Sequence, residues 1–108
     1  MTVKAIIDHI DKIKPNTFDT ETKMFWLNEV EGKISTELFL KGENEMKKLT
    51  GEGDELSVLQ CYSSVYIYYV IAMMDFLCGE FEKYSASSAA YNKAMSDYAK
   101  YVIRGGGK

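Results

Sequence analysis

Apolar positions along the chain fall into four blocks separated by polar punctuation, and their spacing is helical. Val3, Ile6, Ile7, Ile10 and Ile13 share one face of a first helix that Thr2 is placed to cap and Pro15 to end. Asn16 and Thr17 make the turn, Asp19 or Thr20 offers the next N-cap, and Phe18 stands where a hydrophobic staple would. In the second helix Leu27, Val30, Ile34 and Leu38 form a stripe, with Trp26 on an adjacent face and Gly32 as a weak point.

The pattern then lapses. From Lys41 to Glu55 the chain reads KGENEMKKLTGEGDE, dense in charge and carrying three glycines, so it predicts a long polar loop, the most mobile part of the molecule. The densest block follows: SVYIYYVIAMMDFLC, Ser64 to Cys78, has one charge, Asp75, and must be buried against something. It predicts a third helix from near Leu56 to at least Cys78, with Gly79 as its end or as a tolerated interior residue. Ser85, Ser87 or Ser88 caps a fourth helix, whose apolar face is Tyr91, Ala94, Met95, Tyr98 and Val102. Its small residues, Ala86, Ala89, Ala90, Ala94 and Ala99, let another helix approach, so helices three and four are expected as a central antiparallel pair. Tyr69, Met73 and Phe76 are the expected core anchors of the third helix.

These elements give an all-α fold class: a small bundle of about four helices with one long polar loop. It forms a single domain over residues 1–104, with 105–108 as a flexible tail. At 108 residues and 46% hydrophobic content the chain has material for one core and no second domain. A membrane span over Leu56 to Cys78 is disfavoured, because Ser57, Gln60, Asp75 and four tyrosines are scattered through it instead of gathering in two interfacial belts. No basic segment leads into an apolar one at the N-terminus, so no signal peptide is expected. Cys61 and Cys78, seventeen positions apart on one expected helix, cannot pair within it, and the chain is assigned to a reducing cytoplasm.

A formal charge of −3 leaves no basic footprint for gripping phosphate backbones, so at most weak contact with DNA is expected. His9 is the only histidine and has no orienting group beside it in sequence. A carboxylate-bridged metal bundle needs Glu-x-x-His pairs, and Ile6 stands three positions before His9. Gly32-Lys33-Ile34-Ser35 fails as a phosphate loop, since Leu27 occupies the place of the first glycine. Gly51 to Glu55 lacks the alternating oxygen ligands of a calcium loop. An ion pair of Asp75 with Lys83 or Arg104, or a tyrosine hydroxyl, accounts for that carboxylate. No catalytic, cofactor or metal residue is assigned, and a non-enzyme is expected.

Tyr66, Tyr68 and Tyr69 cannot all enter a dry core, because buried hydroxyls need partners. Some of them should reach an interface.

Two segments carry a family resemblance. They are Phe25-Trp26-Leu27-Asn28-Glu29-Val30-Glu31-Gly32-Lys33-Ile34 and the stretch Tyr66 to Tyr101, which contains Gly79-Glu80-Phe81-Glu82-Lys83-Tyr84 and Ser88-Ala89-Ala90-Tyr91-Asn92-Lys93-Ala94. Together they resemble the small helical head-tail connector, or head-completion adaptor, proteins of tailed phages and prophages of Gram-positive bacteria. The resemblance implies a structural subunit docking between portal and tail or stopper proteins. It also implies a homo-oligomer in the virion, a monomer when isolated, and a cytoplasmic location during assembly. Tyr66, Tyr68, Tyr69, Tyr101 and Arg104 are the residues expected to meet partners. The alternative is a small helical protein-binding or regulatory module.

Overall fold

A computed structural model describes residues 1–42 and 48–106, which form four α-helices and no strand beyond a single bridged pair, Thr2 with Glu55. The helices are α1 (Val3–Ile13), α2 (Thr20–Lys33), α3 (Ser64–Leu77) and α4 (Phe81–Ile103). The all-α bundle read from the periodicity is therefore the observed fold.

α1 starts where the sequence placed it, with Thr2 Oγ1 accepting from the Ala5 N–H at 3.1 Å. The Val3 and Lys4 N–H groups, which no helix can satisfy internally, donate to the Asp54 and Glu52 carbonyls, each at 2.9 Å. The second half of the charged stretch is thus the cap of α1. Leu49 is buried, and the Asn28 side chain brackets its peptide, accepting from Leu49 N–H at 2.7 Å and donating to its carbonyl at 3.0 Å. Asp54 Oδ2 closes the turn by accepting from the Thr50 and Gly51 N–H groups at 2.7 and 3.1 Å. The expectation of a mobile loop over Lys41 to Glu55 is corrected for Leu49–Glu55, which is fastened; residues 43–47 lie outside the described residues. Charge density concealed one apolar anchor and a set of helix donors in need of acceptors.

Asp19 is the N-cap of α2, accepting from Thr22 N–H at 2.8 Å, and the Phe18 ring packs edge-on against Trp26 at 5.4 Å. Leu27, Val30 and Ile34 are buried as the stripe requires. Beyond Lys33 the helix widens over Ile34–Leu38, where the Phe39 N–H reaches back five residues to the Ile34 carbonyl at 3.3 Å.

Two helix boundaries differ from expectation. α3 begins at Ser64 and not near Leu56, because the preceding backbone donors are committed elsewhere: Ser57 N–H to the Glu31 carboxylate and Val58 N–H to the Tyr66 hydroxyl. A short tight turn, Gln60–Tyr62, intervenes. α4 begins at Phe81 and not at the serines, since Gly79 ends α3 outright. Its φ of 72° lets Glu80 N–H reach the Asp75 carbonyl at 2.9 Å and Gly79 N–H the Phe76 carbonyl at 3.1 Å, a Schellman closure. Ser85, Ser87 and Ser88 are interior to α4. The same closure recurs at Gly105, φ 96°, with Gly105 and Gly106 donating to the Val102 and Tyr101 carbonyls. These two glycines close the helix, and a Cβ on Gly106 would collide with the Tyr101 ring; the rest of the expected tail, residues 107–108, lies outside the described residues.

α3 is the hub. It pairs antiparallel with α4 along its length and receives α2 and α1 on its other side. Its buried face is Val65, Tyr66, Ile67, Val70, Ile71 and Met74, all in one core with residues of α1, α2, α4 and the Leu49–Val58 segment. The expected anchors are shifted: Tyr69 and Met73 are half-buried, and Phe76 is exposed.

Candidate interaction surface

Among the described residues three charged side chains are buried, and each is consumed by packing. Glu31 of α2 accepts from the Tyr66 hydroxyl on one oxygen and from Ser57 Oγ at 2.5 Å on the other; the Tyr66 oxygen in turn accepts from Val58 N–H at 3.0 Å. Burial, then the Glu31 charge, pushes the Tyr66 hydroxyl far above the ordinary tyrosine range. Lys23 is held by Asp11 at 2.8 Å, and Asn16 donates to the same carboxylate at 2.9 Å. Burial raises the Asp11 pKa, and these two donors outweigh it, leaving Asp11 below the usual carboxylate range.

Asp75 completes the set. Its Oδ1 lies 2.7 Å from Lys14 Nζ, an ion pair without hydrogen-bond alignment, and its Oδ2 accepts from Ser87 Oγ at 2.9 Å. The partner expected from sequence is corrected: Lys83 turns instead to Glu80 at 2.6 Å, and α1 supplies the cation. The close contact with the Asp75 carboxylate outweighs burial and holds the Lys14 ammonium above the usual lysine range. The serine hydroxyl also faces the Lys83 and Tyr84 carbonyls at 3.0 and 3.3 Å, which is the back-bonding of a helix serine. The trio staples α1 to the α3–α4 pair. It floors a 490 Å³ groove walled by Ile13, Tyr68, Ile71, Ala86 and Ala90. Among the described residues no three His, Cys, Asp or Glu side chains gather as a metal site. No helix there is long and apolar enough to cross a membrane.

The five residues expected to meet partners are dispersed. Tyr66 is corrected: it is fully buried, its hydroxyl spent on Glu31, and it offers nothing to another chain. Tyr68 is exposed at the rim of the groove. Tyr69 is half-buried between α2 and α4, under Lys33 Nζ at 5.3 Å and edge-on to Tyr91 at 5.2 Å; burial and Glu29 push its hydroxyl up to about 12. Tyr101 stacks into a cluster with Tyr62 and Tyr98, at 5.0 and 6.0 Å between centroids. Arg104 is exposed at the end of α4.

The surface that sequence reasoning missed is the tip of the α3–α4 hairpin. Phe76, Leu77 and Phe81 are 49%, 57% and 61% exposed, and the Phe76 ring leans on Phe81 and Tyr84 at 6.2 and 5.3 Å. The signal was Gly79: as a helix end it puts its apolar neighbours on a turn that no third element covers. At the other end of the hairpin Leu59 and Ile103 are 50% and 81% exposed.

No family model matches the chain, and no curated protein or solved structure is significantly similar to it.

Proposed function

We propose that this protein is a structural interaction subunit, a head-tail connector docking between the portal and the tail or stopper proteins of a phage or prophage particle. The observation that carries the reading is the division between interior and surface. Buried charges are spent on internal pairs, whereas large apolar side chains stand exposed at both ends of the central hairpin. Exposed clusters of that kind are characteristic of surfaces that other proteins cover. The WLNEVEG run and the Gly79–Ala94 stretch that resemble connectors lie on α2 and on the hairpin itself. Subunits of this sort need affinity for neighbouring proteins without strong affinity for passing DNA, and a net charge of −3 suits that need.

The test is to mix the purified protein with the portal encoded beside it and examine the product by electron microscopy. A stoichiometric added layer is expected. Absence of binding to any portal, capsid or tail component, together with capture of a helical partner in the groove beside Tyr68, would replace the connector with a helix-binding module.

A further inference from the structure

The groove above the Lys14–Asp75–Ser87 staple is built like a ligand site. α1 ends at Ile13, where Pro15 prevents its continuation, and the stretch of the α3–α4 pair in which α4 presents only Ala86 and Ala90 is left as an open trough. Its 490 Å³ falls within the range of small-molecule sites, and the walls, Ile13, Tyr68, Ile71 and the two alanines, are largely apolar. The charges along its floor and edge cancel. Lys14 lies 2.7 Å from Asp75 and 3.6 Å from Glu80, and Lys83 lies 2.6 Å from Glu80, so two cations stand against two carboxylates. An anionic ligand would meet Asp75 and Glu80, a cationic one Lys14 and Lys83, and neither sign is favoured. Lys14 nevertheless keeps donors to give. Its ammonium is 21% exposed, its contact with Asp75 leaves Oδ1 without a hydrogen bond, and Glu80 is beyond hydrogen-bond distance. A carbonyl oxygen uses those N–H groups without bringing a charge into the groove.

We propose that this groove binds a neutral, largely apolar small molecule whose carbonyl oxygen accepts from Lys14 Nζ while its body lies along the wall formed by Tyr68, Ala86 and Ala90. The inference is independent of the connector reading, because it rests on the groove alone. Ser87 takes no part in recognition, since its hydroxyl is committed to Asp75 Oδ2 at 2.9 Å. The small side chains of α4 admit a flat ring, and the exposed Tyr68 ring offers it an aromatic neighbour at the rim.

The experiment titrates the full chain with four probes that share one aromatic body, following amide chemical shifts by NMR at matched concentrations below each solubility limit. Acetylnaphthalene carries the neutral carbonyl, naphthoate an anion, naphthylmethylamine a cation, and naphthalene no polar group. Acetylnaphthalene should bind with a dissociation constant near millimolar, as befits about a dozen non-hydrogen atoms, and should shift the amides of Lys14, Tyr68, Ala86 and Ala90. Naphthalene should bind about three- to tenfold more weakly, the worth of one hydrogen bond, and both charged probes at least about threefold more weakly. A86W, at an exposed position and checked for unchanged circular dichroism, fills the trough and should weaken acetylnaphthalene binding by about tenfold or more. Equal binding of naphthalene and acetylnaphthalene would overturn the proposal by reducing the groove to an apolar patch. Tighter binding of either charged probe, or binding unchanged in A86W, would overturn it too. No shift from any probe would also overturn it, and would leave the groove to a helix or to a second copy.

Discussion

Tyr66→Phe should be the most informative single change, because it deletes one oxygen and leaves the packing. The ring is fully buried, so no cavity opens, and the whole effect lies in hydrogen bonding. The hydroxyl donates to the buried Glu31 carboxylate and accepts from Val58 N–H at 3.0 Å. A bond to a charged acceptor contributes about 2 kcal/mol, and an orphaned buried amide costs about 1 kcal/mol more. Val58 is 2% exposed and Glu31 likewise, so water does not replace the lost partner. The expected destabilisation is about 3 kcal/mol, a large part of the roughly 5–15 kcal/mol by which domains are stable. Urea denaturation followed by circular dichroism measures it, with the slope unchanged and the midpoint lowered. Tyr68→Phe, at an exposed hydroxyl, should change stability by less than about 0.5 kcal/mol. A cycle with Glu31→Gln should give a coupling of about 1–2 kcal/mol. If Tyr66→Phe matches wild type, the hydroxyl is not the tie between α2 and α3.

The same residue predicts alkaline sensitivity. Its pKa is raised in the folded state by burial and by Glu31, so the unfolded chain loses the proton first. Stability is full below about pH 10, the ordinary tyrosine value, and falls as pH rises beyond it, by at most about 1.4 kcal/mol per pH unit for this group. Tyr66→Phe should show a shallower decline above pH 10 than wild type; equal slopes would remove Tyr66 from the effect.

Three other changes separate the remaining contributions. Lys14→Met strands the buried Asp75 with Ser87 alone and should cost about 3 kcal/mol in urea unfolding at neutral pH; a loss under 1 kcal/mol would mean that the groove floor is solvated. Asn28→Ala removes both bonds to the Leu49 peptide, and limited proteolysis should then cut within 49–55 faster than in wild type, at a stability cost of about 1–2 kcal/mol. Gly79→Ala forces an L residue to φ 72° and should lower stability by about 1 kcal/mol although its Cβ meets nothing, so an unchanged melting temperature would contradict the closure described for α3.

Local signals in the sequence located most of the helices and misplaced what depended on distant partners. Thr2, Asp19 and the Val3-to-Ile10 and Leu27-to-Ile34 spacings specify α1 and α2 without help from the rest of the chain. The start of α3 was not legible, because Ser57 and Val58 give their N–H groups to the side chains of Glu31 and Tyr66, 26 and 8 positions away. The phase of α3 was missed for a related reason. Nearly every residue of SVYIYYVIAMMDFL is apolar, so periodicity could not distinguish a core face through Tyr66, Val70 and Met74 from one through Tyr69, Met73 and Phe76. Asp75 held the missing information. A buried carboxylate must face a cation, and Lys14, fixed at the end of α1, determines which side of α3 looks inward.

That staple also explains how a small bundle keeps an apolar tip in water without collapsing around it. Folding Phe76, Leu77 and Phe81 inward would require α3 to rotate, and rotation would carry Asp75 away from Lys14 and Ser87 and Tyr66 away from Glu31. Removing one partner of a buried charge costs about 3–5 kcal/mol, whereas burying a Phe or Leu side chain returns about 1.5–3 kcal/mol. Two such centres on one helix outweigh the partial burial that three already half-covered side chains would gain. The polar interior therefore fixes the rotation of the hairpin, and the hairpin's rotation leaves its apolar ends exposed.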